Sequence, residues 1–116
     1  MRIADIPTPA LLVDLDILNA NIGAMAKHAA QTGKRLRPHA KAHKCVQIAK
    51  RQMDAGAVGV CVATLPEAEV MARAGIEGVL LTSPIADPGK CERMASLCTV
   101  LRRLKAARSY STMRSR

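Results

Sequence analysis

Eight consecutive residues, Arg37-Pro38-His39-Ala40-Lys41-Ala42-His43-Lys44, hold three cationic side chains and two of the chain's three histidines. Like charges disfavour protonation of an amine, so a lysine set between two imidazoles is pushed toward its neutral, nucleophilic form. The chemistry this suggests is Schiff-base formation by Lys41. Two other readings stay open on these residues alone. One is a solvated cationic face; the other is a metal pair formed by His39 and His43 at HxxxH spacing. Pro38 lacks a backbone N–H and fixes its own φ, so the chain must enter the cluster extended.

The flanking sequence predicts alternating strands and helices. The apolar run Pro9-Ala10-Leu11-Leu12-Val13-Asp14 reads as a first strand, with Asp14 or Asp16 capping the helix that follows. Leu18, Ile22, Met25 and Ala29 recur at helical spacing, and Gly33 supplies the stop. Residues Arg35 to His39 form the next strand, and the cationic cluster is its exit loop. Val46, Ala49 and Met53 mark one side of a short helix ending at Gly56. Val58 to Ala63 reads as a buried strand, Thr64 to Glu67 as a capping box, and the helix beyond it ends at Gly75. Gly78 to Thr82 is another buried strand, and a helix starts near Pro88. Thr82 and Ser83 end their strand on the cluster's side of the sheet, as turn residues or as contacts for whatever the cluster binds.

An internal repeat supports this order. Ala55-Gly56-Ala57-Val58-Gly59-Val60-Cys61-Val62 aligns with Ala74-Gly75-Ile76-Glu77-Gly78-Val79-Leu80-Leu81 at an offset of 19. Each copy ends a helix on glycine and enters an apolar strand, the pattern of a parallel sheet with helical crossovers. A closed eight-unit barrel takes about 250 residues. The chain has 116. The fold class expected is therefore α/β: a partial (β/α)8 barrel, truncated after about three βα units. In such folds functional groups stand at the C-terminal ends of the strands, where the cluster falls.

Composition narrows the class further. Residues 1–100 carry a net charge of +3, and residues 101–116 add +6 with no acidic residue. The basic balance belongs mostly to a tail, residues 99–116, distinct from a domain over residues 1–98. Such a tail can touch nucleic acid or an anionic membrane nonspecifically. The single aromatic residue, Tyr110, lies in it, so the main body offers no platform for stacking bases. Four cysteines without CxxC spacing suggest reduced thiols in a cytoplasmic protein. The sequence contains neither an apolar run of membrane-spanning length nor the apolar core of a signal peptide.

The order TPALLVDLD, helix, RLRPHAKAHK, helix, GAVGVCVATLPEAE, helix, AGIEGVLLTSPI resembles the N-terminal part of D-threonine aldolases and the related D-serine dehydratases. These belong to the alanine-racemase-like group of pyridoxal-phosphate enzymes. The resemblance runs from about Ile6 to about Leu97, and its RPHxKxHK motif is highly specific. It implies a barrel of the alanine racemase N-terminal type and places the cofactor-bearing lysine at Lys41. Arg37, His39 and His43 match the family's flanking positions and are expected around the cofactor, with His39 and His43 packing against it and not ligating metal. A divalent metal is expected in the full-length family, held by a C-terminal domain that this sequence does not include. The first strand, around Leu11 to Val13, is expected to pack in that same domain.

Three functions compete. The first is a pyridoxal-phosphate lyase acting on D-3-hydroxy amino acids, D-threonine aldolase-like or alternatively D-serine dehydratase-like, inactive as this short chain. The second is a non-catalytic pyridoxal-phosphate-binding protein, whose lysine motif would lack the paired histidines. The third is a nucleic-acid module using the tail, for which no helix-turn-helix, zinc-finger or RNP pattern is present. The partners expected are a small D-amino acid, no specific nucleic acid and no membrane, with a homodimer in the full-length family.

Overall fold

The computed structural model describes residues 2–99. Its helices fall where the sequence predicts, and strands alternate with them from residue 61 onward. A 3₁₀ turn at Ile3–Asp5 is followed by helix α1 (Leu15–Gln31), a 3₁₀ turn at Ala40–Ala42 and helix α2 (Val46–Asp54). Strand β1 (Cys61–Val62), helix α3 (Leu65–Arg73) and strand β2 (Leu80–Leu81) come next. A fourth helix, α4, begins at residue 88 and runs to residue 99, the last one described. Most of the basic tail over 99–116 therefore lies outside the described residues.

The helix boundaries follow from local chemistry. Asp14, not Asp16, caps α1, accepting the N–H groups of Asp16 and Ile17 at 3.0 Å each. Thr64 accepts the Glu67 N–H at the start of α3, while the Glu67 carboxylate accepts from Ala63, one residue outside the expected box. Asp87 accepts the Lys90 N–H at 2.8 Å and opens α4. At their other ends α1, α2 and α3 share one device. The N–H groups of Lys34, Ala57 and Ile76 return to the carbonyls of Ala29, Gln52 and Met71. That return requires a left-handed residue just before it, supplied by Gly33, Gly56 and Gly75.

The sheet is parallel and its register equals the repeat. Cys61 pairs with Leu80 and Val62 with Leu81, the same offset of 19 that aligns the two sequence copies. The copies therefore lie side by side. Where they meet, Gly59 and Gly78 pack backbone against backbone, and a Cβ on either would collide with the other copy. The extended segment before the cationic cluster joins as a third parallel member. It does so through a bridge from His39 to Cys61, with Val58 N–H on Leu36 C=O and Cys61 N–H on Pro38 C=O.

Alternation along the strands sends Val60, Val62, Val79 and Leu81 to the helical side, where they meet Ala40, Ala49, Ala68, Met71 and Ile76. Met71, Val60 and Val62 are the largest fully buried side chains. Burial of each contributes roughly 1.5–3 kcal/mol. α4 closes this layer, with Leu97 against the core and Arg93 reaching the Glu69 carboxylate of α3 at 2.8–3.0 Å. The opposite side of the sheet, carrying Arg37, His39, Cys61, Leu80 and Thr82 by the same alternation, is open, and Leu80 is exposed.

Of the expected strands, Arg35 to His39 reduces to a single bridge at His39, and the first is absent. Residues 9–14 form no strand, and Leu11, Leu12 and Val13 are exposed, Leu11 at 91%. A strand needs a neighbour for its N–H and C=O groups, and among the described residues none lies alongside. The other strands are shorter than their apolar runs, pairing only at Cys61–Val62 and Leu80–Leu81.

Candidate active site

The cationic cluster is a short, tightly specified turn at the C-terminal end of the first extended segment. His39 ends that segment, and its Nδ1 accepts the Lys41 backbone N–H at 3.2 Å, capping the turn Ala40–Ala42. Ala40 is buried in the core, and its carbonyl accepts from both His43 N–H and Lys44 N–H, at 3.2 and 2.7 Å. His43 Nδ1 then accepts the Cys45 N–H at 3.1 Å, just ahead of α2. Lys44 sits at φ 48°, a left-handed conformation that costs a non-glycine residue energy and needs holding in place. Its backbone N–H bond to Ala40 supplies that hold, and its ammonium lies 3.3 Å from Glu67 Oε1 on α3.

Both imidazoles therefore spend Nδ1 on the backbone, so each carries its proton on Nε2. For His39, Nε2 lies 3.3 Å from Thr82 Oγ1 at the end of β2. The Thr82 hydroxyl donates its own proton to Val62 C=O at 3.0 Å, and so accepts from His39. For His43, Nε2 is buried opposite the Gln52 side chain, and the two do not reach hydrogen-bond geometry. Burial pushes the His43 pKa below the ordinary histidine value, and Gln52 offsets this only in part. Burial thus favours the neutral form of His43.

Glu67 links this turn to the next unit. Its Oε2 accepts the Ala63 N–H at 2.9 Å while Oε1 pairs with Lys44. The Ala63 N–H, with Lys44 adding to it, holds the Glu67 carboxyl below the usual carboxylate range. Arg37 stands on the open side of the sheet by strand alternation; its Nε is buried with no partner among the described residues. The Lys41 side chain is exposed, and its Nζ has no recorded hydrogen bond or ion pair among the described residues.

The structure thus brings Lys41, His39 and Thr82 into one network and turns His43 inward beneath it. Ser83 goes elsewhere. With Thr64, Leu65, Ile85, Asp87 and Lys90 it lines a cleft of about 350 Å³ beside the ends of β1 and β2. The sequence reading missed Glu67 as the partner of Lys44 and Thr82 as the partner of His39. The repeat carried a signal for Thr82, because an offset of 19 sets it beside Ala63, one step past the end of β1. Among the described residues no group of three or more His, Cys, Asp or Glu could hold a metal ion. The four cysteines are free thiols. Among the described residues no helix is long and apolar enough to cross a membrane.

Known proteins are similar to this chain in sequence and in fold. A 3-hydroxy-D-aspartate aldolase of Paracoccus denitrificans is 44% identical over 95 residues, covering 81% of this chain and 24% of its own length. The crystal structure of D-threonine aldolase from Filomicrobium marinum superposes with a TM-score of 0.80 at 50% identity, over 82% of this chain and 26% of that one. D-threo-3-hydroxyaspartate dehydratase from Delftia sp. HT23 superposes with a TM-score of 0.77 at 38% identity, over 82% of this chain and 25% of that one. The chain spans about a quarter of the length of the relatives it matches. Residues 13–116 match the family described as alanine racemase, N-terminal domain, and the chain belongs to that family.

Proposed function

We propose that the chain is the opening part of a (β/α)8 barrel in a pyridoxal-phosphate-dependent lyase acting on D-3-hydroxy amino acids, with D-threonine aldolase-like chemistry. The observation that carries this reading is the unequal state of the two lysines in the motif. Lys44 is held by Glu67, whereas the Lys41 amine is exposed at the C-terminal edge of parallel strands. A barrel accounts for the open face. In a closed barrel the side carrying Arg37, His39, Cys61, Leu80 and Thr82 becomes the interior lining.

Pyridoxal phosphate fits the donors present. Lys41 supplies a free amine for covalent attachment, and Arg37 Nε is a buried donor with no protein partner among the described residues. When bound, the cofactor supplies an electron sink for charge left at the α-carbon of an amino acid. In this assignment Lys41 anchors the cofactor and Arg37 orients it. His39 borders it, and His43 fixes the turn from below. The described residues do not fit the divalent metal expected for the family.

The related dehydratase favours a second reading, in which the β-hydroxyl leaves instead of the Cα–Cβ bond breaking. Products separate the two in a full-length relative that carries RPHxKxHK. D-threonine should yield equal amounts of glycine and acetaldehyde. Formation of 2-oxobutanoate and ammonia would assign dehydration instead, and loss of neither product class on Lys41→Ala would refute both.

A further inference from the structure

We propose that Thr82 is a positioning residue for Lys41, acting through His39; this rests on the reading of Lys41 as the cofactor-bearing amine. The turn that carries Lys41 is a single 3₁₀ turn of three residues, too short to hold itself. What sets it is its cap. Helix-type turns are ordinarily capped by Ser, Thr, Asp or Asn, whose short side chains reach only the local backbone. Here the cap is an imidazole. Its Nδ1 takes the Lys41 N–H, and its Nε2–H extends to Thr82 on the far strand.

Thr82 is fixed in turn. Its N–H bonds to Val62 C=O at 3.0 Å, and its hydroxyl donates to the same carbonyl at 3.0 Å. The hydroxyl proton is thereby committed, leaving an oxygen lone pair aimed at His39. The resulting line, Val62 carbonyl to Thr82 hydroxyl to His39 imidazole to Lys41 N–H, crosses the ends of all three parallel segments. A lysine on an exposed turn is thus referred to the sheet, and its position no longer depends on the loop alone. A valine at 82 keeps the shape and breaks the line at one atom.

Amide hydrogen exchange on the 116-residue chain tests this without cofactor or turnover. Thr82→Val should speed exchange of the Lys41 N–H by about three- to tenfold, the effect of one net hydrogen bond. Val58 N–H, bonded to Leu36 at the other end of the same strands, should be unchanged. Thr82→Ser should restore Lys41 protection, and the His39 Nε2–H resonance should be visible in the wild type and Thr82→Ser but lost in Thr82→Val. In a His39→Asn background, where the cap persists without reaching Thr82, Thr82→Val should have no further effect on Lys41. Equal acceleration at Lys41 and Val58, failure of serine to rescue, or a wild-type Lys41 amide exchanging like an unstructured one would overturn the proposal. Borohydride labelling keeps the two readings apart. Label on another lysine with this exchange pattern intact removes the chemical role of Lys41 and upholds the Thr82 contact, whereas label on Lys41 with no response to Thr82→Val does the reverse.

Discussion

Helices α1 and α3 obey the same local rules and have opposite relations to the core. α1 is 17 residues long, well capped and regularly terminated, yet it buries only Ala29. α3 has nine residues and buries Leu65, Ala68, Met71 and Ala72. The difference lies in what faces each helix. α3 packs on both strands of its own βα unit, while α1 touches chiefly α2 and leaves Leu15, Ile17 and Met25 exposed. Capping and termination decide where a helix starts and stops. Partners decide what it contributes to stability. The groups that hold the Lys41 turn come from the sheet and not from α1: Ala40 in the core, His39 at the end of the first extended segment, and Thr82 just after β2.

The largest expected effect sharpens this contrast in function. In a full-length relative, Lys41→Ala should lower turnover by several orders of magnitude, since the amine serves the site and not the core. A change matching Met25→Ala on α1 should leave turnover within about twofold. Comparable losses from the two, by steady-state kinetics, would mean that α1 takes part in the site.

Stability should divide the same way. Met71→Ala removes a side chain that is 1% exposed and should cost about 2–5 kcal/mol in urea unfolding. Met25→Ala, at a residue 51% exposed, should cost under about 0.5 kcal/mol. Similar values would show that α1 is covered in solution.

Glycines give a sharper pair because the two substitutions should differ in sign. Gly59→Ala drives a Cβ into the backbone of Gly78 and should destabilise by about 1–3 kcal/mol. Gly23→Ala in the middle of α1 meets nothing within 4 Å and should stabilise by about 0.5–1 kcal/mol. If Gly59→Ala proved neutral, the side-by-side packing of the two repeat copies would be wrong.

A smaller effect concerns pH. His43 has a lowered pKa in the folded chain, so at any pH below its ordinary value of 6.5 the unfolded chain binds more protons. Its contribution is therefore intact above about pH 6.5 and is lost as the pH falls through the lower folded value. Glu67, also lowered, should lose its contribution only below its ordinary value of 4.5. His43→Asn, which can still accept the Cys45 N–H, should flatten the stability profile within the His43 window, as the pH falls from about 6.5. An unchanged profile would place the responsible proton elsewhere.

Much of this was legible in the sequence because it is local. Helical spacing, the Asp14 and Thr64 caps and the glycine stops lie within a few residues of what they control. The offset of 19 in the repeat equals the strand register that the structure shows. The first strand was misread because Leu11 to Val13 carry a strand's composition, but pairing depends on a neighbour that composition does not report. Lys41 stood out through its motif. Its supports did not, since Thr82 and Glu67 lie 41 and 26 residues away in sequence and meet the turn only after the sheet forms. Nor did the motif show that both rings spend Nδ1 on backbone N–H groups, those of Lys41 and Cys45.

The central claim is that Lys41, and not its neighbour Lys44, is the amine this fold presents to the cofactor. Incubation with pyridoxal phosphate, borohydride reduction and peptide mapping tests it most directly. The account predicts label on the peptide containing Lys41, absent from Lys41→Ala and retained in Lys44→Ala. Label on Lys44 or Lys34, or label that persists in Lys41→Ala at the same level, would contradict it.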